Sequence, residues 1–296
     1  MVRSARDWLG ISSVVGMLPP TPATGLPGDA GLFGPQSAAW LVFRERVNLT
    51  GGPTALLLQL AHPLVCAGVA EHSGFEEDPL RRLQATLDAT LTVIFGDHDQ
   101  AQMAVDAVAR RHRSVRGRLR LGTGSFAAGT PYRADDPELA MWVFATLTWT
   151  AMKATCSFLG PVAPADRDAY YADMRQFGLL FGATPTMPPD YSALDAYVHQ
   201  MTRDVLVVSS VTHRLARQVL MPEPPLLPPP LRALSTLLAA GLLPASVRDA
   251  YALPWRRRDR ILFAALRTAT RSTVPALPAS VRFWPHYRIA QQRLRS

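Results

Sequence analysis

The chain has 296 residues, of which 48% are hydrophobic and 18% are charged, a composition that supports a substantial core and excludes a disordered protein. The formal net charge is +8, but Lys153 is the only lysine, and the arginines are scattered apart from Trp255–Arg260 and the C-terminal tail. Because no stacking-aromatic motif accompanies them, we predict no nucleic-acid partner. Peripheral contact of these basic segments with a membrane surface or another anionic partner stays open.

The cysteines and the apolar stretches indicate the cellular setting. Cys66 and Cys156 lie far apart in apolar segments, as buried thiols do, and no Cys-x-x-Cys-His motif is present, which excludes a covalently attached c-type haem. The apolar stretch 8–18 is short and lacks a cleavage site, so we predict no signal peptide and a cytoplasmic location. The apolar stretch 139–160 contains Lys153 and several threonines, and we predict a buried helix there and no membrane span.

Apolar residues recur at helical spacing through most of the chain, and we predict an all-α fold. We divide it into a Pro/Gly-rich arm (1–35), a helical domain (36–220), a proline-rich linker (221–230) and a C-terminal helical section (231–296) that packs on the main domain. The predicted helices span 36–48, 54–72, 79–95, 99–116, 137–158, 165–181, 192–220, 229–240, 245–252, 255–272 and 286–295.

Local signals support several of these boundaries. The Asp78-Pro79 and Asp136-Pro137 pairs have the pattern of an N-cap followed by a first-turn proline. Gly96 and Gly117 stand where a glycine commonly ends a helix. The β-branched stretch 205–211 lies in a helical context, and we assign it to helix.

The helix predicted at 99–116 carries a histidine on its apolar face. Val105, Val108, His112 and Val115 are spaced by three, four and three residues, which places them on one side. An unpaired buried polar group costs about 1–3 kcal/mol. His112 is therefore either a core histidine satisfied by a carbonyl or a ligand of a bound group.

The helix predicted at 79–95 places Arg82, Thr86 and Thr90 away from its polar stripe, toward the interior or a cavity. A buried guanidinium stays charged and requires an anion. That anion is either a carboxylate from a neighbouring helix or part of a bound ligand such as a haem propionate.

A third group of polar residues, Gln59, His62 and His72, interrupts an apolar helix. Pro63 lacks an amide hydrogen, which frees the carbonyl of Gln59 and favours a kink. His62 either caps that carbonyl or borders a site. A non-haem metal held by His62, His72 and His112 is disfavoured, because none of these histidines has a carboxylate three or four residues away on its own predicted helix.

Ordered segments spanning about Phe43 to beyond Met201 together resemble the bacterial branch of the MpaB and rubber oxygenase family, with a looser similarity at Val247–Trp255. The segments are LLLQLAHPLVCAGVAEHSGFEEDPLRRLQATLDATLTVIFGD, RRHRSVRG, PYRADDPELAMWVFATL and FLGPVAPADRDAYYADMRQFGLLFG.

The resemblance implies a single helical bundle with a globin-like core that holds a non-covalent haem b and uses dioxygen as co-substrate. It implies an oxygenase that cleaves or oxidises a carbon–carbon double bond in a small apolar, isoprenoid or lipid-like substrate. His112 matches the family's histidine after the Phe-Gly-Asp turn, which implies the proximal iron ligand. Arg82 and Thr86 match the distal Arg-x-x-x-Thr, which implies catalytic roles and contact of Arg82 with the cofactor. We add His62 as a cofactor-binding candidate.

The chain departs from the family pattern at several positions. Ala85 stands where the rubber oxygenase has a lysine that closes off the iron, and Phe144 replaces a histidine of many relatives. The family's proposed glutamate base has no clear counterpart, since Glu71 is nearest in type and Cys66 is nearer in spacing. Without an export signal, polymeric rubber is disfavoured as substrate. The alternative is a non-catalytic helical protein of the same fold that binds haem or a lipid.

Overall fold

The computed structural model describes residues 19–72, 79–221 and 228–296, and the side chains of residues 79–83 lie outside that description. The apolar stretch 8–18, the capping residue Asp78 and linker residues 222–227 therefore lie outside the described residues.

The described residues fold mainly into helices, which confirms the predicted all-α class. The α-helices are α1 (Ala38–Phe43), α2 (Gly52–Ala61), α3 (Pro63–His72), α4 (Pro79–Phe95), α5 (His98–Ser114), α6 (Pro137–Phe158), α7 (Pro164–Leu180), α8 (Tyr191–Asp204), α9 (Ser210–Leu220), α10 (Pro229–Leu242), α11 (Ala245–Ala250), α12 (Arg257–Thr273), α13 (Ala279–Arg282) and α14 (Pro285–Arg293). Two 3₁₀ helices (Arg46–Gly51 and Val274–Ala276) and two short strands, β1 (Arg116–Arg118) and β2 (Pro131–Arg133), complete the described elements.

Helix α6 forms the centre of the core. Fourteen of its 22 residues are buried, and α2, α7, α8 and α12 pack around it. A helix that is apolar over most of its circumference requires such enclosure, and the one charged side chain of α6 beyond its first turn, Lys153, reaches Asp195 of α8 at the surface. The N-cap of α6, Asp136, accepts hydrogen bonds from the backbone N–H groups of Glu138 and Leu139, ahead of Pro137 in the first turn. The predicted buried helix and its cap are confirmed.

The helical path breaks between α2 and α3, where the prediction placed a kink. The 3₁₀ helix with α2 and the following α3 meet at an angle of 102°. Two hydrogen bonds hold α2 to α6: Trp142 Nε1 donates to the Leu58 carbonyl at 3.3 Å, and Gln59 Nε2 donates to Thr146 Oγ1 at 2.9 Å. The break therefore turns the chain while α2 stays attached to the core.

Across the described part of the chain, we find no single helix that is both long and apolar enough to cross a membrane. The bent pair of Arg46–Ala61 and Pro63–His72 has sufficient length and apolar composition only when its two parts are taken together.

The helical assignment of the stretch 205–211 is wrong for most of its length. Helix α8 ends at Asp204 and α9 begins at Ser210, with an extended segment between them. The backbone N–H of Val207 donates to the carbonyl of Ala61 at 2.8 Å. Because α2 ends at Ala61, that carbonyl needs a partner from outside its helix, and the extended segment supplies it.

The prediction that Gly117 ends a helix is also wrong. Helix α5 ends at Ser114 with Val115 as its C-cap, and Gly117 lies in β1, opposite Tyr132 in the antiparallel pair. A Cβ at Gly117 would overlap the phenol ring of Tyr132. Position 117 therefore requires glycine because the Tyr132 side chain approaches it closely across the strand pair, and not because a helix ends there.

The C-terminal helices contact the rest of the chain along much of its length, and these contacts include α10 on α2, α12 on α6 and α14 on α4. Helix α10 begins at Pro229, so Pro229 and Pro230, the last two residues of the predicted linker, belong to its first turn. Proline is tolerated there because the backbone N–H groups of a first turn have no partner within the helix.

The buried side chain of Arg293 connects α14 to the N-terminal arm and to the end of α4. Its guanidinium donates to the carbonyls of Asp29 at 2.7 Å, Thr24 at 3.3 Å and Phe95 at 2.8 Å. Burial lowers the pKa of Arg293, but three acceptors surround the charged group. These contacts hold α14 against residues 24–29 and the end of α4.

We predict that Arg293→Met lowers the free energy of unfolding by about 2–3 kcal/mol, because it leaves buried carbonyls without donors. Urea unfolding followed by circular dichroism measures the change. Arg295→Met is the matched control, because Arg295 is exposed. Equal stability of the two variants would contradict this role of Arg293.

Candidate functional site

The predicted site residues of α4 and α5 belong to one helical hairpin. The two helices pack side by side and are joined by Gly96 and Asp97. Asp97 accepts a hydrogen bond from the backbone N–H of Gln100 at 2.7 Å, and the Gln100 side chain accepts one from the N–H of Asp97 at 3.1 Å. This capping box starts α5 directly after α4 ends and defines the turn of the hairpin.

The hairpin brings Arg82 and His112 to the same level. Arg82 lies 13 residues before Phe95, the last residue of α4, and His112 lies 14 residues after His98, the first residue of α5. At a rise of 1.5 Å per residue, both positions are about 20 Å from the turn. The backbone of Arg82 is in α4, while its side chain lies outside the described residues.

His112 lies in the last turn of α5 and is half-buried. On the same face, Val105 is buried, whereas Val108 and Val115 are half-buried. The apolar face of α5 therefore leaves the core gradually toward its C-terminal end. Ligation of iron by His112 stays a prediction.

Helix α4 is open to solvent at the level of the predicted distal residues. Thr86 and Ala85 are exposed, and Thr90 is half-buried, with its hydroxyl donating to the Thr86 carbonyl at 2.8 Å. Thr86 is therefore not packed into the core, so it does not face the interior. Its contact with a cavity or a bound ligand stays a prediction.

His62 has a buried ring nitrogen without a partner. The residue is 5% exposed at the α2–α3 break, and its Nδ1 has no hydrogen-bond partner among the described residues. Its ring lies 5.5 Å from the Phe126 ring, centroid to centroid. The carbonyl of Gln59 accepts from the backbone N–H of His62 at 3.1 Å, so the imidazole is not needed as its cap.

Burial lowers the pKa of His62 to about 4, opposed by a weaker effect of Asp136. The imidazole is therefore neutral near neutral pH, and a neutral imidazole is the form that ligates iron or hydrogen-bonds a cofactor.

A polar cluster that sequence reasoning missed connects α3 to the strand pair. The Tyr132 hydroxyl donates to Glu71 Oε2 at 2.7 Å, His72 Nε2 lies 3.2 Å from that hydroxyl, and Arg120 Nε lies 2.8 Å from Glu71 Oε1. Burial, followed by the contact with Glu71, raises the pKa of Tyr132 to about 12, so the phenol stays a donor. Its position in the PYRADDPE segment was a signal to which we attached no role.

The Tyr132 cluster also reaches the end of α5. A Cβ on Gly68 of α3 would contact both the Tyr132 ring and a methyl group of Val115, at 3.7 and 3.5 Å. Tyr132 therefore holds Glu71 of α3 close to Val115, which lies three residues after His112.

Two family departures have structural explanations. Phe144 is buried in the core, its ring 6.3 Å from the Tyr171 ring, and a Cβ on Gly178 would come within 2.9 Å of it. Phe144 thus fills a packed position between α6 and α7.

Cys66, which lies near the expected position of the family's glutamate base, is buried with its sulfur 3.5 Å from Thr212 Oγ1. Burial raises the pKa of its thiol, which argues against a reactive thiolate.

The described residues do not support a bare metal site. No group of three or more His, Cys, Asp or Glu side chains among them could hold a metal ion, which contradicts the alternative of His62, His72 and His112 as ligands. One observation is compatible with haem: Nδ1 of the neutral His62 imidazole lacks a partner among the described residues, and such a group can bind iron or hydrogen-bond a cofactor. Haem binding stays a prediction.

The cavities of the described structure include two that are too small for a cofactor. One of about 10 Å³ lies beside Phe95, His286 and Arg293, and one of about 50 Å³ lies beside Ala61 and Leu206. Pockets for cofactors are several hundred Å³. Neither of these two cavities is therefore the haem site.

We predict that the cofactor-free wild type loses about 3 kcal/mol of stability between pH 7 and pH 4 relative to His62→Leu. The pKa of His62 is lower in the folded than in the unfolded state, so the unfolded chain binds more protons as pH falls below 6.5. Urea unfolding at several pH values measures the difference. His213→Leu, at an exposed histidine, is the control and should follow the wild type. Parallel curves for wild type and His62→Leu would contradict the buried neutral state.

Comparison with known proteins places the chain in a family. An uncharacterized protein of Mycobacterium bovis and one of Mycobacterium tuberculosis are each 28% identical to it over 229 residues, which is 73% of this chain and 86% of the relative. No solved structure matches the chain, so the globin-like core stays a prediction. The family described as "ER-bound oxygenase mpaB/B'/Rubber oxygenase, catalytic domain" matches residues 40–272. Because this match spans most of the chain, the chain belongs to the mpaB and rubber oxygenase family, as its sequence motifs predicted.

Proposed function

We propose that this protein is a haem b-dependent oxygenase that uses dioxygen to cleave or oxidise a carbon–carbon double bond in a small apolar, isoprenoid or lipid-like substrate. Family membership supports oxygenase chemistry. The observation that carries the assignment of residues is the α4–α5 hairpin, which brings Arg82 and His112 to one level about 20 Å from its turn.

Each proposed residue has a distinct task. His112 would hold the iron through one ring nitrogen, and His62 would contact the cofactor through the nitrogen that lacks a protein partner. Haem b, when bound, supplies the iron centre at which dioxygen is activated. Arg82 would orient dioxygen or a cofactor carboxylate with its permanent charge, and the hydroxyl of Thr86 would donate a hydrogen bond beside it. Ala85 offers no amine that could compete for the iron.

An apolar substrate is supported by the residues that border the end of α5. Helix α3 approaches Val115 through Gly68 and is apolar from Leu64 to Ala70 apart from the neutral thiol of Cys66. Most of these side chains pack in the core, so the surroundings of the end of α5 are apolar and favour an apolar ligand over a polar one. The free thiols of Cys66 and Cys156 fit the proposed cytoplasmic location.

We predict that His112→Ala loses at least tenfold in haem content, because its imidazole is the proposed iron ligand. A pyridine haemochrome assay and the Soret band of protein produced with added haem measure this, and circular dichroism checks the fold. The matched control is His213→Ala, which should retain wild-type haem. Wild-type iron and an unchanged Soret band in His112→Ala would overturn the ligand assignment.

We predict that Arg82→Ala retains haem but loses at least a hundredfold in alkene-dependent oxygen uptake, a loss typical of removing an electrostatic group from an active site. An oxygen electrode with a panel of short isoprenoid alkenes, together with product analysis for carbonyls, measures it. Arg81→Ala is the control, since the sequence places Arg81 on the polar stripe of the same helix. Haem-loaded wild type that consumes no oxygen with any alkene would favour the alternative, a non-catalytic haem- or lipid-binding protein.

A further inference from the structure

The positive charge of the chain is concentrated at its C-terminal end. Residues 251–296 contain ten arginines and a single acidic side chain, Asp259, for a formal charge of +9. Residues 1–250 contain the other 21 basic and 22 acidic side chains and have a formal charge of −1. Part of this charge is internal, because Arg293 is buried and Arg282 is paired with Glu45. The exposed remainder indicates a surface for an anionic partner, which a uniform arginine bias would not produce.

Four of these arginines, Arg256, Arg257, Arg258 and Arg260, are exposed at the start of α12. The N-terminus of a helix carries a partial positive charge, where basic side chains are unfavourable. Asp259, with Arg258 Nε 3.5 Å from its carboxylate, is the one acidic residue in this turn. An external anion would offset the remaining repulsion.

The same helix exposes large apolar side chains. Ten large apolar side chains are exposed among the described residues, and four of them lie between positions 261 and 281. Two of these four, Ile261 and Leu262, belong to α12. Ile261 is 60% exposed and Leu262 is 54% exposed. Each lies four residues after an arginine, Arg257 or Arg258, and therefore on the same outer face of α12.

The opposite face of α12 is packed, so the outer face is the part available for an interaction. Phe263 is buried, with its ring 6.0 Å from the Phe158 ring of α6. Small residues continue the outer face beyond Leu262, and Ala264, Ala265 and Ala269 are all exposed. The result is an anchored helix with arginines and two aliphatic side chains directed outward.

We propose that the outer face of α12 binds the surface of an anionic lipid bilayer, with Ile261 and Leu262 inserted below the headgroups and Arg257 and Arg258 on lipid phosphates. Basic residues beside exposed aliphatic ones are the pattern of interfacial helices. The apolar area of two large side chains and three alanines is small beside the roughly 800 Å² per partner of a stable protein interface. No aromatic side chain is exposed on this described face to stack on nucleic-acid bases.

Binding at a bilayer would place the protein where apolar alkenes accumulate. The proposal concerns a surface remote in sequence from the proposed haem ligands, and its test requires neither haem nor oxygen chemistry. Failure of the oxygenase proposal would leave it intact, and its own failure would leave the oxygenase proposal intact.

Vesicle flotation of the full-length protein tests the surface, with phosphatidylcholine vesicles compared with vesicles that contain phosphatidylglycerol. We expect at least tenfold tighter binding to the anionic vesicles, weakened by added salt. Ile261→Ser with Leu262→Ser, and separately Arg257→Gln with Arg258→Gln, should each reduce that binding at least tenfold. All four positions are exposed, so circular dichroism should show wild-type folding.

Matched controls use other exposed positions. Leu179→Ser, at a leucine that is 52% exposed, and Arg203→Gln with Arg217→Gln should bind within twofold of wild type. Equal binding to neutral and anionic vesicles, or an equal loss in the controls, would overturn the proposal. So would binding to DNA or to an acidic polypeptide without binding to vesicles, which would assign the surface to a different partner.

Discussion

Fourteen of the 22 residues of α6 are buried, around most of its circumference, and the packing of this protein follows from the need to enclose them. Its threonines are compatible with burial because their hydroxyls bond within the helix: Thr150 Oγ1 donates to the Thr146 carbonyl at 2.7 Å, and Thr155 Oγ1 to the Ala151 carbonyl at 2.9 Å. Thr148 is the exception, because its buried hydroxyl has no hydrogen-bond partner among the described residues. Helices from both halves of the chain enclose α6. The C-terminal section is consequently part of the enclosure.

The candidate site lies where that enclosure opens. Helix α2 is bound to α6, and the break at His62 and Pro63 directs α3 away toward the strand pair and the end of α5. Tyr132 then joins α3 to the residues after His112. The α4–α5 hairpin leads outward from a turn stabilised by Asp97. The core thus carries α3 and the end of α5 to the same strand pair, beside the residues that we propose hold the cofactor.

Sequence patterns were sufficient wherever the cause of a structure is local. The cap at Asp136, the kink at Pro63 and the buried helix at α6 follow from nearby residues and were predicted. The errors share a different cause. The stretch 205–211 was assigned to helix, yet Val207 donates to Ala61, 146 positions away. Gly117 was assigned to a helix end, yet it is required by the Tyr132 ring across the strand pair. In both cases a distant partner decides the local conformation.

The sequence by itself determined the all-α class, the family, the identity of Arg82, Thr86 and His112 as candidates, and the excess of arginine at the C-terminal end, because these depend on residue type and spacing. Only the tertiary structure decided that the backbone N–H of His62 satisfies the Gln59 carbonyl, that Nδ1 of the His62 ring has no partner among the described residues, and that Tyr132 holds Glu71. The physical reason is that a hydrogen bond requires two groups within about 3 Å. Spacing along a chain specifies which face of a helix a residue occupies, whereas packing alone specifies what that face meets.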